Sequence, residues 1–98
     1  MERGRLAGGE GRLMAPILMY ATAICPFCVQ AERLLRSRGV ADIAKVRVDL
    51  EPALRQEMMQ KTGRRTVPQI YIGEVHVGGY DDLVALDRAG KLEPLLAA

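Results

Sequence analysis

The chain contains no tryptophan, one phenylalanine, one histidine and only two cysteines. With so few large rings, its core must be built mainly from aliphatic side chains. A tetrahedral zinc site takes about four ligands, mostly cysteine and histidine, and two cysteines with one histidine do not supply them, so no metal is expected. No apolar run reaches the roughly 18 residues of a membrane span, and the N-terminus has no apolar segment of secretory type. The net charge is +2, with no basic block and no basic–aromatic stripe, so neither a membrane nor nucleic acid is an expected partner. These absences suggest a cytoplasmic chain. In that reducing compartment a two-cysteine disulfide serves catalysis rather than structure.

What is present fits one small domain: 98 residues, 49% apolar and 27% charged, enough for one modest core. Residues 1–15, MERGRLAGGEGRLMA, hold four glycines and no sustained period. They read as a disordered leader, with Met14 as an alternative start, ahead of a domain over 16–98. Pro16–Tyr20 is continuously apolar, as in a strand buried on both faces. From Pro26 to about Arg38 the period is helical, with Cys28, Ala31, Leu34 and Leu35 on one side and Gln30, Arg33, Arg36 and Arg38 facing out. Gly39 ends that helix. Lys45–Asp49 alternates as a strand, and Pro52 starts a helix that carries Leu54, Met58 and Met59 and stops at Gly63. Val67–Ile72 and Val75–Val77 form a hairpin around Gly73-Glu74. A helix follows from Tyr80/Asp81 to Gly90, and Leu92, Leu95 and Leu96 suggest a last short one. The order β-α-β-α-β-β-α predicts an α/β fold, a four-stranded mixed sheet with helices on both faces.

The chemistry resides in CPFC, Cys25 to Cys28. Cys25 stands at the edge of the first helix, where free backbone N–H groups and the helix dipole favour a thiolate over a thiol. A free thiol of pKa about 8.5 is brought to about 3.5–7.5 in such settings, and each unit is worth about 1.4 kcal/mol. Cys28 lies one turn on and faces inward, which suits it to resolve a mixed disulfide formed at Cys25. A second feature is Arg65-Thr-Val-Pro-Gln-Ile. Proline at the entrance to an apolar strand is either an ordinary strand-entry residue or the mark of a tight cis bond. A cis Val67–Pro68 bond would leave the Val67 backbone free to pair with an extended peptide.

CPFC, TVPQIYIG and GGYDDL, in this order and at these separations, resemble a dithiol glutaredoxin of the small bacterial glutaredoxin three type, from about Pro16 to the C-terminus. The resemblance implies a thioredoxin-like fold and a monomer that uses glutathione as co-substrate. Its protein partners would be glutathionylated or disulfide-bonded. It implies Cys25 and Cys28 as the catalytic pair. Phe27 would supply an apolar wall, and the glutathione backbone would pair with Val67 before a cis Pro68. The γ-glutamyl carboxylate would lie at Gly79, Tyr80 and Asp81, where a helix N-terminus favours an anion, with Asp82 receiving the ammonium. Arg55 would meet the glycyl carboxylate. A different role found among relatives is a glutathione-ligated iron–sulfur cluster carrier, which a proline at position 26 disfavours.

One departure from the family pattern matters. Many glutaredoxins carry a lysine three residues before the first cysteine, and here that residue is Thr22. Without the ammonium, the Cys25 thiolate should be less strongly stabilised, and Arg55 should carry more of the carboxylate binding. His76, far from Cys25 in sequence, reads as a surface strand residue without a role.

Overall fold

A computed structural model describes residues 14–97. Of the expected leader, only Met14 and Ala15 fall within the described residues. Strand β1 (Ile17–Ala21) lies centrally: it pairs in parallel with β2 (Ala44–Arg47) and antiparallel with β3 (Gln69–Ile72). Strand β4 (Val75–Gly78) completes the sheet beside β3, giving the order β2-β1-β3-β4. Helices α1 (Pro26–Ser37), α2 (Pro52–Thr62), α3 (Tyr80–Arg88) and α4 (Leu92–Ala97) follow in the order expected. The second strand is shorter than its alternation predicts. Val48 keeps its burial and its backbone bond to Ala21, but Asp49 turns away to accept the Ala23 N–H at 3.1 Å.

The two faces of β1 explain its unbroken apolarity. Ile17, Met19 and Ala21 pack with Ala31 and Leu35 of α1, Leu83 of α3, and Leu92 and Leu96 of α4. Tyr20 points the other way, into a smaller cluster with Val48 and Met58 of α2. Its hydroxyl is satisfied there by donating to Glu57 at 2.7 Å. The sheet is thus covered on both faces, and the fold is the thioredoxin-like one that the motifs imply.

Local chemistry sets the helix limits. Pro26 and Pro52 occupy first-turn positions, where a missing N–H is harmless. Gly63 closes α2 at φ +72°, a left-handed conformation open to glycine without a Cβ penalty. Arg38 does not simply face solvent, as its place in the helical period predicts. It reaches α3 and grips Asp87 with two parallel bonds, Nε to Oδ1 at 2.7 Å and Nη2 to Oδ2 at 2.8 Å. The fork geometry of a guanidinium makes such a cross-helix bond possible. Periodicity within α1 cannot reveal a partner 49 residues away.

Leu83 anchors α3 and is fully buried. Leu83→Ala is expected to lower unfolding stability by about 2–5 kcal/mol, read from urea unfolding. A loss within experimental error would contradict this packing.

Candidate active site

The site begins where β1 runs into α1. Cys25 caps the helix in an extended conformation (φ −150°, ψ 92°), and its Sγ accepts the Cys28 N–H at 3.1 Å. The Cys25 carbonyl receives the Val29 N–H, also at 3.1 Å. The sulfurs are joined as a disulfide, with Cα atoms 5.2 Å apart. The halves are unequal, as their positions predict. Cys28 is buried on the core side of α1, whereas Cys25 is only partly covered. Phe27 stands out between them and stacks on Tyr80, ring centroids 6.0 Å apart. That contact joins the start of α1 to the start of α3.

The Val67–Pro68 peptide is cis and directly precedes β3. Because Tyr20 pairs with Gln69, the antiparallel register brings this segment beside the chain that leaves β1. On the other side, α3 is capped by its own carboxylate. Asp82 Oδ2 accepts the Gly79 N–H at 2.9 Å and a bond from Arg64 Nη1 at 2.9 Å. This is the backward half of a capping box. It demands glycine at 78, where φ is +114° and a Cβ would lie 2.4 Å from that oxygen. The Gly79 N–H, and next the Arg64 guanidinium, hold the Asp82 carboxyl below the usual carboxylate range.

Together these segments line a cleft of about 320 Å³. Of the residues singled out from the sequence, it brings together Phe27, Val67, Pro68, Gly79, Tyr80, Asp81 and Asp82. Arg55 is not among its lining residues; its guanidinium donates to the Arg65 carbonyl at 3.2 Å. Two further lining residues had no role assigned from the sequence: Thr66, which belongs to the TVPQ segment, and Arg64, which lies two residues before it. That placement was the available signal, but no period sets the direction of side chains between a helix end and a cis-proline.

The disulfide itself opens onto a second, smaller hollow of about 200 Å³ on the β2 side, shared with Thr22, Glu32, Lys45 and Arg47. The cations here are already paired. Lys45 bridges to Glu32 at 2.6 Å, and Arg47 grips Asp49 at 2.7 and 2.8 Å. Lys45 and Arg36 hold Glu32 below its ordinary range, and Arg47 holds Asp49 far below it. The Thr22 hydroxyl turns back to the Ile24 carbonyl at 3.4 Å.

The lowered Asp82 pKa carries a pH dependence. Its folded value lies below its unfolded one, so the stability it adds is complete above about pH 4 and is lost as pH falls through the folded pKa. Asp82→Asn keeps an acceptor for Gly79 but loses the ionic bond to Arg64. The variant should be less stable at pH 6 by at most about 1 kcal/mol, since the pair is solvent-screened. The gap should close towards pH 2 in thermal unfolding. A gap independent of pH would show that the charge contributes nothing.

Comparison with known proteins agrees with this geometry. A family model described as Glutaredoxin matches residues 17–77. A glutaredoxin of Pseudomonas aeruginosa is 54% identical over 85 residues, 87% of this chain and 100% of that protein. Glutaredoxin 3 of Escherichia coli is 47% identical over 83 residues, 85% of this chain and 99% of its own length. Among solved structures, a buckwheat glutaredoxin–glutathione complex superposes with TM-score 0.76 at 33% identity, covering 84% of this chain and 76% of that one. By family model, full-length relatives and fold together, this chain belongs to the glutaredoxin family.

Proposed function

We propose that this chain is a glutathione-dependent oxidoreductase that reduces protein–glutathione mixed disulfides and protein disulfides through Cys25 and Cys28. The observation that carries this reading is the convergence of Phe27, set between the two cysteines, with the Val67–Pro68 edge and the N-terminus of α3 on one cleft. Its volume of about 320 Å³ lies in the range of small-molecule sites. The solved relative named as a complex with glutathione supports the choice of ligand.

The proposed chemistry proceeds by thiolate attack. The Cys25 thiolate attacks the glutathionyl sulfur of a modified protein, and the protein's thiolate leaves and takes up a proton. A second glutathione thiolate then attacks the Cys25-bound sulfur, forming oxidised glutathione and restoring the Cys25 thiolate. On a protein disulfide, Cys25 forms the mixed disulfide and the Cys28 thiolate displaces the protein. The resulting Cys25–Cys28 disulfide is reduced by two glutathione molecules. In this reading glutathione lies extended against the Val67 backbone before Pro68, with Phe27 as an apolar wall. Its γ-glutamyl carboxylate faces the backbone N–H groups at Gly79, Tyr80 and Asp81, and its ammonium meets Asp82. The glycyl carboxylate is assigned to Arg55, which is held next to the cleft by its bond to the Arg65 carbonyl. The proposed setting is a monomer in the cytoplasm, with glutathionylated and disulfide-bonded proteins as its partners.

The serine variants test the mechanism on a glutathione mixed disulfide. Cys25→Ser should fall to background, whereas Cys28→Ser should keep deglutathionylation and lose dithiol-dependent reduction of a protein disulfide. Residual turnover by Cys25→Ser would refute the assignment. The reductant is tested by supplying glutathione with its reductase, or thioredoxin reductase alone; only the first should sustain turnover.

Thr22 gives a further prediction. The cations of the neighbouring hollow are tied to Glu32 and Asp49, so a new ammonium would act on Cys25 with little competition. Thr22→Lys should lower the thiolate pKa of Cys25 by about one unit, followed by thiolate absorbance in the reduced protein as pH is raised. An unchanged titration would show that the missing lysine is immaterial.

A further inference from the structure

Gln69 is the one fully buried polar side chain among the described residues. A buried primary amide is tolerated only when its donors and acceptor are satisfied. Here they are. Nε2 donates to the Thr66 carbonyl at 3.0 Å and lies 3.3 Å from the Thr66 hydroxyl, while Oε1 lies 2.8 Å from His76 Nε2.

This arrangement has one consistent reading. The Thr66 carbonyl can only accept, so the amide nitrogen must face it and Oε1 must face the imidazole. His76 Nε2 must therefore carry the hydrogen. Burial, with Arg64 acting in the same direction against Asp82, holds His76 below its ordinary pKa, and both the neutral and the charged ring keep this donor. Tyr71 fixes the ring from the side, centroids 5.1 Å apart. The strand register fits the same purpose. Ile70 pairs with Gly78 and Tyr71 with His76, so Val77 is an extra residue on β4. Such bulges re-aim side chains beside functional sites. His76 is half-buried and bonded, where the sequence reads it as a surface strand residue.

We propose that His76, acting through Gln69, is a positioning residue that holds Thr66 and the adjoining Val67 backbone in the conformation glutathione pairs with. The inference rests on the glutathione reading above. The chain of bonds runs from the far strand of the sheet, through its one buried amide, to the carbonyl and hydroxyl of a residue that lines the cleft. Without the His76 donor, Oε1 is left unpaired in a dry site and the amide is free to turn. The Thr66 carbonyl then loses its fixed partner.

Two variants test it. His76→Phe keeps a ring beside Tyr71 but removes the donor. His76→Gln restores an N–H near the Nε2 position. With a glutathione mixed disulfide as substrate, His76→Phe should raise KM about tenfold, the effect of one unpaired buried acceptor. His76→Gln should return KM to within about twofold of the unsubstituted value, since it again supplies the bond. The alkylation rate of Cys25 in the reduced protein should not change in either. The backbone amide resonance of Val67 should move in His76→Phe and return in His76→Gln. An unchanged KM in His76→Phe, or equal increases in both variants, would overturn the positioning role while leaving glutathione as substrate. If the unsubstituted protein shows no saturable interaction with glutathione, the functional reading fails, and this inference fails with it.

Discussion

The site depends on one strand pairing, that of β1 with β3. β1 delivers the chain to Cys25 at its C-terminal end, and β3 starts directly after the cis-proline. Only an antiparallel register that matches Tyr20 with Gln69 sets these two segments side by side. The register is enforced by burial. Met19 and Ile70 share one face, while Tyr20 and Tyr71 meet edge-on across the other. A slip of one residue would turn every side chain of a strand to the opposite face. Tyr20 would then leave Glu57 and enter the aliphatic cluster with its hydroxyl unpaired. The sheet thus fixes the site's geometry before any functional side chain is considered.

On that frame, two helices start at the same place. The first turns of α1 and α3 meet at the Phe27–Tyr80 stack. Their free N–H groups and aligned peptide dipoles give this corner a positive character. Each start handles it differently. Cys25 presents its sulfur to the Cys28 N–H, whereas Asp82 folds a carboxylate back onto the N-cap amide of its own helix. The Cys25 sulfur and the Asp82 carboxylate are thereby held at adjoining helix starts by the same backbone property. At the other end, the Arg38–Asp87 pair joins the last turn of α3 to the C-cap of α1.

Much of this was legible in the sequence because it is local. CPFC, the helix-closing glycines and the double-faced first strand each follow from a few adjacent residues, whereas the residues around Val67–Pro68 left the bond open and only the family resemblance implied the cis form. What was not legible depends on contacts across the chain. Arg38 belongs to the outer face of α1 by period, yet its partner lies on α3. Arg64 sits where no period applies, so family analogy drew attention to Arg55 instead. His76 reads as a surface strand residue from the sequence, but a bulge and a buried amide on the neighbouring strand decide its place. The sulfurs also face a hollow towards β2, formed by residues whose pairing no motif records.

One backbone bond at the opposite end of β1 has a practical meaning. The Ala15 N–H donates to the Leu96 carbonyl at 2.8 Å, so the start and finish of the folded unit are sewn together, a strand's length from Cys25. A few linking residues could bridge 97 to 15, and the chain could then be opened at another exposed turn without disturbing the sheet. Ala15 and Leu96 therefore share one corner of the fold, at the end of β1 away from Cys25. That geometry makes this corner a place for tethers, labels or surface immobilisation.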